Sequence, residues 1–447
     1  MPSSITINNT IKKFNKKIKV DGDKSISIRF AILASQALGK SKAYNLLKSE
    51  DVISTIDCLK KLGVKIKWSK NNNFCEINGN GLNSYVYKNN LTLNGNNSGT
   101  CVRLLTSLLI NSPKRIKIIG DRSLSRRDMT RIIDPLSEFG ATFYPNNKRT
   151  LPIYVEGSNY LTPINYQELK GSSQCKSSVM LAALLTPGET KLKCKPSRNH
   201  TELLFKYLKI PIKIKKIKNF DIIKVKGKHN FRSFNYNIPS DISSSAFFIV
   251  LTLLSKNSKL VIEKVGVNES RAGVLKILNM MGAKIILKNK KIYKGEKIAD
   301  IHVKSSKSLK SINCPSAINS SAIDEFLIIF LAAAKAKGIS YFKNLEELNK
   351  KESRRLDWGA KILSMMGVKN KLIKNHGIKI WGQPNLKLNK KYEIKNYLKD
   401  HRVMAMSTIA ALTLGGKWKI HDPESIKTSF PSFFNILQKN LGSKINK

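Results

Sequence analysis

The feature that most constrains this chain is a repeat. A helix end running into a strand recurs as "LKKLGVKI" at 59–66, "LSEFGATF" at 136–143, "LNMMGAKI" at 278–285, "LSMMGVKN" at 363–370 and "LQKNLGSKI" at 437–445, with a degraded copy, "LFKYLKIPIKI", at 204–214. Apolar residues three apart followed by glycine suit a helix closed by a left-handed cap, and the β-type residues beyond begin a strand. Between these ends lies a second signature, a polar cluster leading into an apolar helix: "DKSISIRFAILAS" at 23–35, "NSGTCVRLLTSLL" at 97–109, "GSSQCKSSVMLAALL" at 171–185, "SDISSSAFFIVLTLL" at 240–254, "AIDEFLIIFLAAA" at 322–334 and "KDHRVMAMSTIAALTL" at 399–414. The period of about 75 residues predicts copies that each hold two helices with strands between them.

A helix that is apolar on nearly every face belongs in an interior. Ser, Thr, Asp or Asn at its start caps backbone N–H groups, and those groups with the helix dipole make a partly positive mouth that suits anions. Capping explains Ser25 or Ser27. It does not explain charges recurring at the same place in the pattern, as Lys24, Arg29, Arg103, Lys176, Asp324, Glu325, His401 and Arg402 do. Copies arranged about a common axis would point several such mouths at one place.

Composition narrows the partners. The formal charge of +50 invites a nucleic-acid reading. The lysines, however, are spread along the whole chain and accompany abundant Asn and Ile, as compositional drift would produce. A nucleic-acid groove should concentrate charge and interleave it with aromatics, so no nucleic-acid partner is expected, although anionic small molecules would be drawn in at low salt. No run of about 18 uncharged apolar residues occurs, and residues 1–22 lack an apolar signal core; no membrane association and a cytoplasmic location are expected. Six cysteines, Cys58, Cys75, Cys101, Cys175, Cys194 and Cys314, form no CxxC pair and lie near no histidine at metal-ligand spacing. They are expected in the core, with no metal site.

Eight motifs occur in a telling order: "DGDKSISIR" at 21–29, "NSGT" at 97–100, "GDRSLSRRDM" at 120–129, "SSQCKS" at 172–177, "SRNHTE" at 197–202, "AIDE" at 322–325, "KES" at 351–353 with Arg355, and "DHR" at 400–402. Together they resemble the 5-enolpyruvylshikimate-3-phosphate synthase family of enolpyruvyl transferases, over essentially the whole chain. The resemblance implies a two-domain, inside-out α/β barrel of six βαβαββ-type repeats, three per domain, with buried helices and outer sheets. It implies a first domain made of residues 1–21 and 240–447, a second of residues 22–239, and an active site in the cleft between them. It further implies transfer of the enolpyruvyl group of phosphoenolpyruvate to the 5-hydroxyl of 3-phosphoshikimate, by addition and elimination through a tetrahedral intermediate, with no metal or organic cofactor and a monomeric enzyme.

By the same resemblance, Asp324 is the base for the hydroxyl, while Glu352 and Lys24 move protons around the methylene carbon and the leaving phosphate. 3-Phosphoshikimate is expected against Lys24, Ser25, Arg29, Ser172, Ser173, Gln174, Arg198, Asp324 and Lys351. Phosphoenolpyruvate is expected against Lys24, Gly99, Arg127, Gln174, Arg355 and Arg402, with Asn97, Thr100, Ser197 and His401 supporting these contacts. Arginine suits such a donor site because its planar fork grips carboxylate and phosphate oxygens in pairs, and in a chain so biased to lysine its retention marks a geometric need. Gly99 implies sensitivity to glyphosate, the family's inhibitor. The chain departs from the family pattern at Asp21, Ile28, Asn96, Ser240, Asn349 and Arg354, the last placing an extra positive charge beside Arg355. The sister family acting on UDP-N-acetylglucosamine carries a reactive cysteine in the loop matching 120–129, where this chain has none. RNA-end-processing proteins built from similar repeats carry a catalytic histidine motif that is not visible here.

Overall fold

In the computed structural model, residues 3–69, 74–374 and 376–446 are described. Among the described residues thirteen helices carry the repeat: α1 (Lys24–Gln36), α2 (Glu50–Lys61), α3 (Gly99–Thr106), α4 (Thr130–Glu138), α5 (Ser173–Leu185), α6 (His200–Tyr207), α7 (Ile242–Leu254), α8 (Gly273–Met280), α9 (Asn319–Ala322), α10 (Phe326–Ala334), α11 (Arg355–Met365), α12 (His401–Leu414) and α13 (Phe433–Asn435). The apolar helices α1, α5, α7, α10 and α12 are buried along almost their whole length, as their lack of a polar face requires. Among the described residues no single helix is long and apolar enough to cross a membrane.

The chain divides into an inserted unit, Gly22–Ile238 with Tyr293–Glu296, and a discontinuous unit, Met1–Asp21, Pro239–Ile292 and Lys297–Lys447. Each has its own apolar core. In the inserted unit the three sheets run Asn235–Asn237, Leu38–Tyr44, Phe74–Asn80, Lys65–Trp68; then Leu91–Asn94, Ile116–Ile119, Ile153–Glu156, Thr142–Tyr144; then Asn165–Glu168, Glu189–Cys194, Phe220–Lys226, Ile212–Ile217. The first two strands of each are parallel, joined in the second sheet through α3 and in the third through α5, and the rest pair antiparallel. The discontinuous unit repeats this order in Asn15–Ile18, Lys259–Gly266, Glu296–Lys304, Ile285–Tyr293 and in Leu309–Lys310, Ala336–Phe342, Gly377–Gly382, Asn370–Ile373.

Two irregularities follow from the chain's crossings. The strand before α1, Asn15–Ile18, pairs in the sheet that follows α7, whereas the strand before α7, Asn235–Asn237, pairs in the sheet that follows α1. The units therefore exchange their leading strands. The sixth sheet has three strands, Leu388–Ile394, Gly415–His421 and Ser4–Ile7. Beyond "LQKNLGSKI" the expected strand is reduced to a single bridge, Asn446 to Thr6, because the N-terminal strand already occupies the edge of Gly415–His421.

The expected left-handed caps are present: φ is 85° at Gly63, 115° at Gly140, 86° at Gly282, 75° at Gly367 and 70° at Gly442. In the degraded copy Lys209 takes the same conformation at φ 56° without glycine. A further glycine recurs where the sheet crosses the C-terminal end of an apolar helix. A Cβ at Gly79 would lie 2.3 Å from the Ala34 carbonyl oxygen, and one at Gly227 2.2 Å from that of Ala183. Such contacts exclude any side chain and let the sheet lie directly on the helix end. All six cysteines are buried and free.

Candidate functional site

In the inserted unit, three apolar helices begin with a capping side chain. Asp23 accepts from the Ile26 N–H at 2.9 Å, Ser98 from Cys101 at 3.2 Å and Ser172 from Cys175 at 3.3 Å. One residue inside the first of these mouths, Lys24 pairs with the largely buried Asp51 at 2.8 Å. One turn deeper, Arg29 is enclosed: Nε donates to Thr201 at 2.8 Å, Nη2 to Ser177 at 2.9 Å and Nη1 to the Ser25 carbonyl at 3.1 Å. Ser177 and Thr201 are themselves joined at 2.7 Å, so Arg29 ties α1 to α5 and α6. Lys176, fully buried, pairs with Glu202 at 2.6 Å.

The mouths of α3 and α5 share a relay. Arg103 Nη1 donates to Gln174 Oε1 at 2.6 Å, and Gln174 Nε2 donates to Thr100 at 2.9 Å. Arg127 Nη2 donates to Asn97 at 3.1 Å, and Asn97 donates to Asp121 at 2.7 Å. Two guanidinium groups thus converge on Gly99, where a Cβ would lie 3.2 Å from Arg103 Nη1 and 3.3 Å from Arg127 Nη1. The Cα of Gly99 forms the floor of a cationic corner, and a methyl group there would push on both guanidinium groups. Ser173 is half-buried beside Ser172. Arg198 is also half-buried, next to Ser197, whose hydroxyl oxygen is buried with no hydrogen-bond partner among the described residues.

In the discontinuous unit two mouths follow the same rule. Asp241 accepts from Ser243 N–H at 2.7 Å and Asp400 from Arg402 N–H at 2.9 Å. The mouth of α10 breaks it. The chain leaves the helical path between α9 and α10, at residues 323–325 of the polar cluster, and Glu325, at the cap position, makes no capping hydrogen bond from its side chain. Asp324 lies in the interruption with its Oδ1 3.4 Å from Lys351 Nζ and 3.3 Å from Arg355 Nη1. Arg355, buried at the first position of α11, also meets Asp400 through Nε at 2.8 Å and pairs with Glu352. Burial works against charge on Arg355, but Asp400, Glu352 and Asp324 outweigh it and hold the guanidinium firmly protonated. Burial likewise works to raise the Asp400 carboxyl, and Arg355 overcomes this and holds it below the ordinary carboxylate range. Ser353 adds a hydroxyl donor to Asp400 at 2.9 Å.

Arg402 points its Nη1 at the Asp324 carbonyl oxygen, 2.6 Å away, with Glu325 Oε1 at 3.6 Å. Its Nε is buried without a hydrogen-bond partner among the described residues. A buried, unsatisfied donor on a cation costs roughly 1–3 kcal/mol or more, and an anionic ligand would satisfy it. His401 packs beside this group, with Nδ1 3.4 Å from Thr428 Oγ1. The extra charge at Arg354 is exposed and paired with Asp357 at 2.5 Å, so it does not join the buried Arg355 cluster. Asn349, another departure, accepts from Leu356 N–H at 3.0 Å and thereby steadies the start of α11.

The structure gathers Lys24, Ser25 and Arg29 at one mouth, and Asn97, Gly99, Thr100, Arg127 and Gln174 at another. Ser172 and Ser173 stand at the start of α5. Asp324, Lys351, Glu352, Arg355, His401 and Arg402 form a cluster in the discontinuous unit. Sequence reasoning marked Arg103 and Glu325 only as charges at helix mouths and gave no role to Asp51 or Asp400. The scarcity of arginine that singled out Arg127 applies equally to Arg103; nothing local distinguishes Asp51 from other acids near a helix start.

A family model described as EPSP synthase (3-phosphoshikimate 1-carboxyvinyltransferase) matches residues 8–437. The 3-phosphoshikimate 1-carboxyvinyltransferase of Ruthia magnifica subsp. Calyptogena magnifica is 38% identical over 435 residues, covering 96% of both chains. That of Petrotoga mobilis is 36% identical over 431 residues, covering 96% of this chain and 97% of its own. An EPSP synthase structure from Acinetobacter baumannii superimposes with a TM-score of 0.86 at 34% identity, covering 99% of each chain. The enolpyruvyl transferase NikO from Streptomyces tendae, at 14% identity and a TM-score of 0.77, shares the fold.

Proposed function

Because the chain belongs to the EPSP synthase family, we propose that it transfers the enolpyruvyl group of phosphoenolpyruvate to the 5-hydroxyl of 3-phosphoshikimate, releasing inorganic phosphate. The observation that carries this reading is the mouth of α10. Asp324 stands just ahead of an apolar helix with its carboxylate at Lys351 and Arg355. A carboxylate fixed in this way is a positioned base, and such groups contribute about 10²–10⁴-fold in rate.

In this reading Asp324 takes the 5-hydroxyl proton as the oxygen bonds to the substituted carbon of phosphoenolpyruvate, and Glu352 delivers a proton to the methylene carbon. The intermediate then returns a methyl proton to Glu352, phosphate leaves with a proton from Lys24, and the proton held by Asp324 is given up to solvent as Lys24 takes one back. Glu352 shares Arg355 with Asp400 and Asp324; one guanidinium facing three carboxylates loses little when one of them takes up a proton. Lys24, Ser25, Arg29, Ser172, Ser173, Gln174, Arg198 and Lys351 are assigned to 3-phosphoshikimate. Lys24, Gly99, Arg127, Gln174, Arg355 and Arg402 are assigned to phosphoenolpyruvate. Asn97 and Thr100 orient Arg127 and Gln174, the buried Ser197 hydroxyl lies open to a ligand oxygen, and His401 flanks Arg402. Cytoplasmic location and action as a monomer complete the proposal.

The test is phosphate release by purified protein given phosphoenolpyruvate with 3-phosphoshikimate, with UDP-N-acetylglucosamine, or alone. Release only with 3-phosphoshikimate is expected, falling at least about 10²-fold in Asp324→Ala and in Lys24→Ala. Release with the nucleotide sugar, or undiminished turnover in either variant, would overturn the assignment.

A further inference from the structure

We propose that Glu325 is a positioning residue for Arg402, aiming the guanidinium edge that receives phosphoenolpyruvate; this rests on the assignment of Arg402 to that substrate. Glu325 is 1% exposed and stands at the cap position of α10, yet leaves the helix uncapped. Its carboxylate turns instead toward the neighbouring helices. There it accepts from the Ser243 hydroxyl at the start of α7 and lies 3.6 Å from Arg402 Nη1 at the start of α12. Ser243 in turn accepts from Arg271 Nη2 at 2.6 Å, and Arg271 pairs with the α7 cap Asp241 at 3.4 Å. A buried chain Arg271, Ser243, Glu325, Arg402 therefore joins three helix mouths.

The geometry at Arg402 gives this chain a purpose beyond holding helices together. Both protein contacts of the guanidinium, the Asp324 carbonyl and the Glu325 carboxylate, fall on Nη1. Nε and Nη2 make no hydrogen bond with any described residue, and Nε is buried. In a planar guanidinium these two nitrogens form one edge, the one that grips two oxygens of a carboxylate or phosphate side by side. Fixing Nη1 therefore sets the direction of that edge. Helix capping would have been the simpler use of an acidic residue here, and the carboxylate has been given to Arg402 instead.

The experiment measures KM for each substrate, and the melting temperature, in wild type, Glu325→Ala, Glu325→Gln and Ser243→Ala. In Glu325→Ala, KM for phosphoenolpyruvate should rise about tenfold, the size expected for losing one charge-assisted contact, with KM for 3-phosphoshikimate changed less than about twofold. Glu325→Gln keeps an acceptor oxygen and should recover part of the loss. Ser243→Ala, which frees the carboxylate without removing it, should move the same KM in the same direction by a smaller factor and serves if Glu325→Ala does not fold. A lowered melting temperature with both KM values unchanged, or an equal rise in both, would reduce Glu325 to a helix tie and overturn the proposal. A wild-type protein that releases no phosphate with 3-phosphoshikimate would overturn the functional assignment and this inference with it; an active wild type with unaffected variants overturns the inference alone.

Discussion

In the inserted unit the arginines at the helix mouths are held by hydroxyls and amides: Arg29 by Thr201 and Ser177, Arg103 by Gln174, Arg127 by Asn97. In the discontinuous unit they are held by carboxylates: Arg355 by Asp400, Glu352 and Asp324, and Arg402 by Glu325. The helix architecture is the same in both, and the holders differ in one physical respect. Hydroxyls and amides do not titrate between pH 3 and 8, so they orient a guanidinium identically across that range. Carboxylates tie orientation to protonation and can themselves carry protons. The first arrangement suits a surface that grips anions; the second suits one that also exchanges protons with a substrate.

The largest effect that could break this comparison lies at Asp400. Removing one partner of a buried ion pair costs about 3–5 kcal/mol, so Asp400→Ala should be strongly destabilised at neutral pH. Because the folded-state pKa of Asp400 is depressed, its stabilisation is fully present above the unfolded carboxylate value, near pH 4, and is lost as pH falls through the lower folded value. The gap between variant and wild type in denaturant titrations should therefore close at acid pH. A gap that stays constant down to about pH 2.5 would show that the carboxylate charge is not what holds Arg355.

A smaller effect is expected at Gly99. The methyl group of Gly99→Ala presses on Arg103 and Arg127 at 3.2 and 3.3 Å, so KM for phosphoenolpyruvate should rise several-fold, and the glyphosate concentration that halves activity should rise more. Stability should change by about 1 kcal/mol or less, since flexible guanidinium ends can give way. Equal inhibition of variant and wild type would remove Gly99 from the donor site.

The smallest effect sharpens the contrast directly. Gln174→Ala removes neutral hydrogen bonds to Arg103 and Thr100 and should cost roughly 1 kcal/mol in stability. Unlike that of Asp400→Ala, its cost should be the same at about pH 2.5 and at neutral pH. A loss that varies with pH would mean that an ionisable group governs this mouth as well.

Much of the architecture could be read from the chain because it repeats: apolar helices and glycine caps recur at a spacing that chance would not maintain, and Gly63, Gly140, Gly282, Gly367 and Gly442 all take the left-handed conformation. What escaped reading was decided by tertiary contact. Gly79 and Gly227 belong to none of the motifs read from the chain, and the helix carbonyls beneath them explain why no side chain fits. The break at Asp324 falls in the polar cluster ahead of the apolar run, and the pattern there does not show which carboxylate meets Lys351 and Arg355 and which meets Arg402. Asp51 and Glu325 pair with residues far away in sequence, which no local motif records.

The pairing of Ser4–Ile7 with Gly415–His421 has a consequence for the order of events during synthesis. Ser4 sits opposite His421 and Ile7 opposite Trp418, so this strand is synthesised before the inserted unit and pairs with one synthesised after it. The inserted unit, nearly contiguous in sequence, can gather most of its core while the chain is still growing. Ser4–Ile7 must meanwhile stay unpaired and out of other sheets until Gly415–His421 has emerged, and Asn15–Ile18 until Lys259–Gly266 has. Four lysines among residues 12–17, "KKFNKK", suit that wait, because like charges along a waiting strand discourage premature pairing.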